Sequence, residues 1–136
     1  MLQAVQQNHL GFLLFGLLWL LSACMAPKPQ EDVSTVVNQF YAALSQGDYP
    51  RAMSYYSADF FRNQTPEAWL KTLKSLGKIE VVEVIQRQAD TRFSGKFYII
   101  EFHTRHQGRP ARETLTLVLS NDSDKIKIFG HKIHAS

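Results

Sequence analysis

The sequence has one cysteine, Cys24, among its 136 residues. No internal disulfide can form, and no cysteine-rich metal cluster can be built. Lysine and arginine are missing from the first nine residues, where only the amino terminus and His9 could carry positive charge. Internal repeats and low-complexity segments are missing too. So is any stripe of basic residues interleaved with exposed aromatics, which excludes a nucleic-acid-binding class. A nucleophile elbow, the strained turn that would present a catalytic serine, does not occur either. What is present is a slightly basic chain, net charge +3 with pI about 9.1, whose charges are scattered rather than blocked. That bias permits attraction to anionic headgroups or cell-wall polymers, and stability must come from apolar packing.

The front of the chain is an apolar run, Leu10 to Leu21, followed by Ser22, Ala23 and Cys24. Twelve residues are too few to span a bilayer, which takes about 20. A short apolar core followed by small residues is the pattern of a cleaved export signal. With the cysteine at the cleavage point, Leu21-Ser22-Ala23-Cys24 resembles the lipobox of bacterial lipoproteins. The resemblance implies a signal peptide over 1–23, cleavage before Cys24, and lipid attachment to that residue. Met25 follows it where aspartate would mark retention, which by the same resemblance implies an outer-membrane, periplasm-facing location. Each buried methylene contributes roughly 0.8 kcal/mol, and stable anchoring takes more than one chain. Removing residues 1–23 from the 136 leaves 113, with all of the Lys, Arg, Asp and Glu retained. A chain of that length makes one domain, burying somewhat under ~70% of its unfolded surface.

Residues 24–32 read as the lipidated cysteine and a stiff linker, with Pro27 and Pro29 imposing extended geometry. From Val33 the period is helical: Val33, Val36, Val37, Phe40, Tyr41 and Leu44 share one face. Asp32 caps the start and Gly47 the end. A second helix is expected from Asp48, carrying Met53 and Tyr56 on one face. Thr65-Pro66-Glu67 opens a third, with Trp69, Leu70, Leu73 and Leu76 as its buried stripe. Beyond Gly77 the period becomes two. Strands are expected over 79–89, 96–106, 112–120 and 125–134, joined by turn-rich segments into an antiparallel meander. Three N-terminal helices followed by four strands give an α+β fold, helices packed on one face of a curved sheet, over 33–136.

The run Phe40-Tyr41-Ala42-Ala43-Leu44-Ser45-Gln46-Gly47-Asp48-Tyr49-Pro50-Arg51-Ala52 resembles the opening of nuclear-transport-factor-2-like domains. Trp69 and the closing strand Ile126-Lys127-Ile128-Phe129-Gly130-His131-Lys132-Ile133 fit the same superfamily, although Ile126 and His131 depart from its commoner residues. The resemblance implies a cone-shaped α+β fold, similar to small exported domains of unknown function. That fold hosts isomerases, dehydratases, secretion scaffolds and binding modules, so it does not fix a function. Dimerisation through the sheet is a further implication of the resemblance.

Strand alternation tests for chemistry inside the cone. On the second strand Tyr98, Ile100, Phe102 and Thr104 form the inner, charge-free face, and Glu101, His103 and Arg105 point outward. On the third, Leu115, Leu117 and Leu119 face inward and share their side with Glu113, expected near the strand's open end. A bulge at Gly130 could reverse the fourth strand, leaving His131 facing either way. The best ligand pocket comprises Tyr41, Tyr56, Asp59, Trp69 and Tyr98, with Asp59 the base and Tyr56 or Tyr98 the hydroxyl donor if the protein were an isomerase or cyclase. His103 and His106, and likewise His131 and His134, fall on opposite strand faces and cannot chelate, so neither a metal nor a cofactor is called for. The reading that follows is a non-enzymatic binding module, anchored through Cys24 and meeting an envelope protein or a small apolar ligand. The alternatives are a ketosteroid-isomerase-like enzyme and a scaffold subunit of an envelope secretion complex.

Overall fold

The computed structural model describes residues 30–136; Cys24 and the signal segment lie outside them. Helix α1 spans Val33–Gln46. Asp32 caps it by accepting from the Thr35 amide at 3.0 Å, a contact worth about 1 kcal/mol. Gly47 ends it at φ 72°, a left-handed geometry that a side chain would disfavour. Helix α2, Tyr49–Met53, is one short turn begun by Asp48. A 3₁₀ turn follows over Ala58–Arg62, then helix α3 over Pro66–Leu76, capped by Thr65. The expected second helix is therefore shorter than its apolar spacing suggested. Tyr56 lies beyond it and bridges in parallel to Ile128.

The four strands are β1 (Ile79–Arg92), β2 (Gly95–His106), β3 (Arg109–Ser120) and β4 (Ile126–Ala135), in antiparallel order β1-β2-β3-β4. The β1–β2 hairpin is longer than the turn-rich composition of 90–95 implied: Arg92 pairs with Gly95, so Phe93 and Ser94 alone make the turn. Gly95 sits at φ 150°, and a Cβ there would collide with the Leu119 carbonyl, which holds the hairpin to glycine at that point.

Alternation divides the sheet. Ile100 and Phe102 of β2, Leu115, Leu117 and Leu119 of β3, and Ile126 and Ile128 of β4 bury themselves against the helices. From the helical side come Val36, Phe40 and Leu44 of α1, and Trp69 and Leu73 of α3. Aromatic rings fill the centre edge to face: Phe40 lies 5.6 Å from Tyr56, Tyr41 5.0 Å from Phe102, and Phe60 5.1 Å from Trp69. The β3–β4 register shifts where Thr116 pairs with Gly130 and Leu117 with Ile128, leaving Phe129 as an extra residue. No helix among the described residues is long and apolar enough to cross a membrane.

Phe102 is wholly buried, whereas Phe93 at the hairpin turn is fully exposed. Phe102→Ala should cost about 3–5 kcal/mol, and Phe93→Ala should stay within about 0.5 kcal/mol of the parent. Urea unfolding midpoints of the two variants check this contrast.

Candidate functional site

The sheet's inner face is not charge-free, contrary to the sequence expectation. The leucine stripe of β3 continues inward to Glu113, which is entirely buried rather than at an open end. The same alternation turns Thr104 and His106 of β2 toward it. On β4 the extra residue at Phe129 reverses the parity, so His131 points in and His134 out. One turn of α1 supplies Tyr41, and the segment after α2 supplies Tyr56.

These residues form one network. Each oxygen of the Glu113 carboxylate has two partners. Oε1 accepts from Thr104 Oγ1 at 2.9 Å and meets His106 Nε2 at 2.5 Å. Oε2 accepts from the Tyr41 hydroxyl at 3.0 Å and meets His131 Nε2 at 2.8 Å. Behind His131, the Tyr56 hydroxyl lies 2.7 Å from Nδ1. A carboxylate offers about four acceptor positions, and here four donors take them all.

Protonation follows from the surroundings. Burial opposes ionisation of Glu113, but hydrogen bonds from His106 and His131, the pull of His131 and the Thr104 hydroxyl outweigh it. The carboxyl is held far below its ordinary value and stays charged. Burial disfavours the charged His106, yet its hydrogen bond to Glu113 and that residue's charge prevail, helped by the Gly77 carbonyl, and its pKa rises. Burial, with the negative charge of Glu113, drives Tyr41 well above its ordinary value, and burial does the same to Tyr56. Both tyrosines therefore remain hydroxyl donors. A protonated Tyr56 gives its hydrogen to Nδ1 of His131, which leaves Nε2–H to face Glu113.

This arrangement fixes the geometry of the interior. A general base needs an unoccupied lone pair within reach of substrate and a pKa near the working pH. Glu113 has neither.

Of the five residues proposed for the pocket, three come together in the core, Tyr98 packs at its edge and Asp59 lies apart. Tyr41, Tyr56 and Trp69 are core residues, each under a tenth exposed. Asp59 lies on the 3₁₀ turn, half exposed and paired with Arg62 at 2.5 Å. Tyr98 is half-buried, with the Lys96 ammonium 5.3 Å from its ring centre. Two surface grooves are lined by Asp59 and Phe129, and neither touches Tyr41, Tyr56, Trp69 or Tyr98. The first, of about 240 Å³, reaches Phe97 and Lys127. The second, of about 420 Å³, reaches Arg62 and Lys132. The first lies outside the packed interior, and the second borders it at Phe60 and His131. Among the described residues no group of three acidic or histidine side chains could hold a metal.

The sequence held a signal for part of the network. Glu113 shares parity with three leucines, and His106 shares parity with Thr104. His131 could not be placed without knowing that the bulge adds a residue. Tyr41 looked like any other member of an apolar stripe.

Two solved structures share the architecture. Bd1075 of Bdellovibrio bacteriovorus is 16% identical with a TM-score of 0.56; the match covers 77% of this chain and 40% of that one. An NTF2-like protein of unknown function from Cytophaga hutchinsonii is 12% identical with a TM-score of 0.50, over 80% of this chain and 94% of that one. This chain thus spans less than half the length of the Bdellovibrio protein, and at these identities the likeness speaks to fold alone. The fold is the nuclear-transport-factor-2-like α+β cone. No family model and no curated protein matches the sequence.

Breaking a buried ion pair by removing one partner costs about 3–5 kcal/mol, which is the loss expected for Glu113→Ala in urea unfolding. Tyr41→Phe removes one bond to a charged acceptor and should cost about 1.5–3 kcal/mol. The pH profile has a definite sign. The Glu113 contribution is present above its ordinary value of 4.5 and is lost as pH falls toward its depressed folded value. The His106 contribution is present below its ordinary value of 6.5 and is lost as pH rises through its raised folded value. Thermal melting should therefore peak between pH 4.5 and 6.5, and Glu113→Gln should flatten both flanks.

Proposed function

We propose that this protein is a non-enzymatic binding module, tethered to the outer membrane by lipid on Cys24 and facing the periplasm. One observation carries the non-enzymatic part: the interior acid is saturated by Tyr41, Thr104, His106 and His131. The residues that would make an isomerase, Asp59 with Tyr56 or Tyr98, are divided among the surface, the core and the sheet margin. Binding falls to the outside of the cone, where the outer sheet face carries Phe97 against Phe129, ring centres 6.0 Å apart. An envelope protein or a small apolar ligand would meet the module there. A lipid tether confines its search to the membrane surface and raises its effective concentration toward neighbours in that layer.

The tether rests on the lipobox resemblance of Leu21-Ser22-Ala23-Cys24 and on the short apolar run before it. Intact mass of the chain extracted from membranes should show cleavage before Cys24 and added acyl groups. Cys24→Ser should move the protein out of the membrane fraction. An unmodified thiol in membrane-extracted protein would overturn the tether.

A further inference from the structure

Phe93 forms the tip of the β1–β2 hairpin and is 102% exposed, more open than any other large apolar side chain described. Single exposed apolar residues are ordinary on a soluble surface. What distinguishes this one is what stands beside it. The Asn121 side chain donates to the Phe93 carbonyl at 2.6 Å, which fixes the tip against the β3–β4 turn. At the other side of that turn, the Ile126 amide donates to the Glu31 carboxylate at 2.8 Å. Glu31 is where the chain enters the domain from its amino-terminal side. The hairpin tip, the β3–β4 turn and the entry point of the chain therefore share one end of the sheet. The opposite end, with the β2–β3 turn at Gln107 and Gly108, holds the end of α3.

We infer that Phe93 inserts into the lipid surface to which the chain is tethered, so that the domain stands on the bilayer by this end of its sheet. The inference rests on the tether proposed above. Seven residue steps separate Cys24 from Glu31, and a chain of that length reaches at most about 25 Å. A lipidated Cys24 thus keeps the Glu31 end of the sheet near the headgroups, and Phe93 is the apolar side chain presented there. Charge at this end is balanced, with Arg92, Lys96, Lys125 and Lys127 against Glu31, Asp90, Asp122 and Asp124. The aromatic tip and the point of attachment carry the inference more than charge does. A lone phenylalanine would bind a bilayer weakly. Beside a tether it needs only to bias orientation, because the local concentration of lipid is already high.

The full chain, processed and lipidated, is reconstituted into vesicles of phosphatidylethanolamine and phosphatidylglycerol carrying brominated phosphatidylcholine. Phe93→Trp places a reporter at the tip, and His134→Trp places one on the exposed far end of β4. Phe93 makes no side-chain hydrogen bond or ring contact, so its replacement leaves the fold intact. After subtraction of the parent's emission from buried Trp69, tryptophan at 93 should show a blue-shifted emission and lose intensity to the brominated lipid, while tryptophan at 134 should show neither. If mass confirms acylated Cys24 and the protein stays with the vesicles but the reporter at 93 is unquenched, the insertion is refuted and the tether stands. If the mass shows an unmodified Cys24, the tether is refuted, and the insertion falls with it.

Discussion

One buried carboxylate organises the interior. A charge placed among leucines and phenylalanines costs several kcal/mol unless it is paired and fully hydrogen-bonded. Glu113 meets that requirement only because four elements converge: α1 through Tyr41, β2 through Thr104 and His106, β4 through His131, and β3, which carries the acid itself. The apolar core is non-directional and tolerates many arrangements of similar volume. The carboxylate does not. It demands donors in fixed directions, and so it sets the crossing of α1 over the sheet and the register of β2, β3 and β4. Tyr56, one step further out, extends the same demand to the segment after α2 by holding the far nitrogen of His131.

A cone whose interior is filled in this way leaves the outer sheet face and the surface grooves as its open surfaces. The helices occupy one face of the sheet, and the other carries a mixture of aromatic, polar and cationic side chains around Phe97 and Phe129. The aromatic cluster of Phe40, Tyr41, Tyr56, Phe60 and Trp69 takes the space between helices and sheet. The indole N–H of Trp69 is buried there facing the Tyr56 hydroxyl, outside good hydrogen-bond geometry.

The architecture was legible in the sequence because its signals are local. The α1 stripe, the Asp32 and Thr65 caps and the leucines of β3 each follow from spacing alone. The site was only partly legible. Glu113 could be put on the inner face by counting from Leu115, but its burial depends on partners 72 residues away for Tyr41 and 18 for His131. No local pattern encodes a contact of that range. Asp59 and Tyr98 have suitable chemistry, but close neighbours in the chain engage them: Asp59 pairs with Arg62 on the same 3₁₀ turn, and Tyr98 lies under Lys96 two residues back on its strand. The shortness of α2 has a long-range cause. The bridge from Tyr56 to Ile128, with the Ile128 amide bound to the Tyr55 carbonyl at 2.8 Å, draws that segment into extended geometry that helical periodicity cannot foresee.

The surplus residue in β4 has a consequence for how the strand can change over time. Upstream of Phe129 the even-numbered positions face the helices; downstream, the odd ones do. Regular pairing of the strand with Phe129 retained would evict His131 and Ile133 together and drive Lys132 into the oil, whereas loss of Phe129 would restore strict alternation and leave all three where they are. The bulge thus sets the phase of the strand's second half, and a deletion at Phe129 is a change of length which that phase survives.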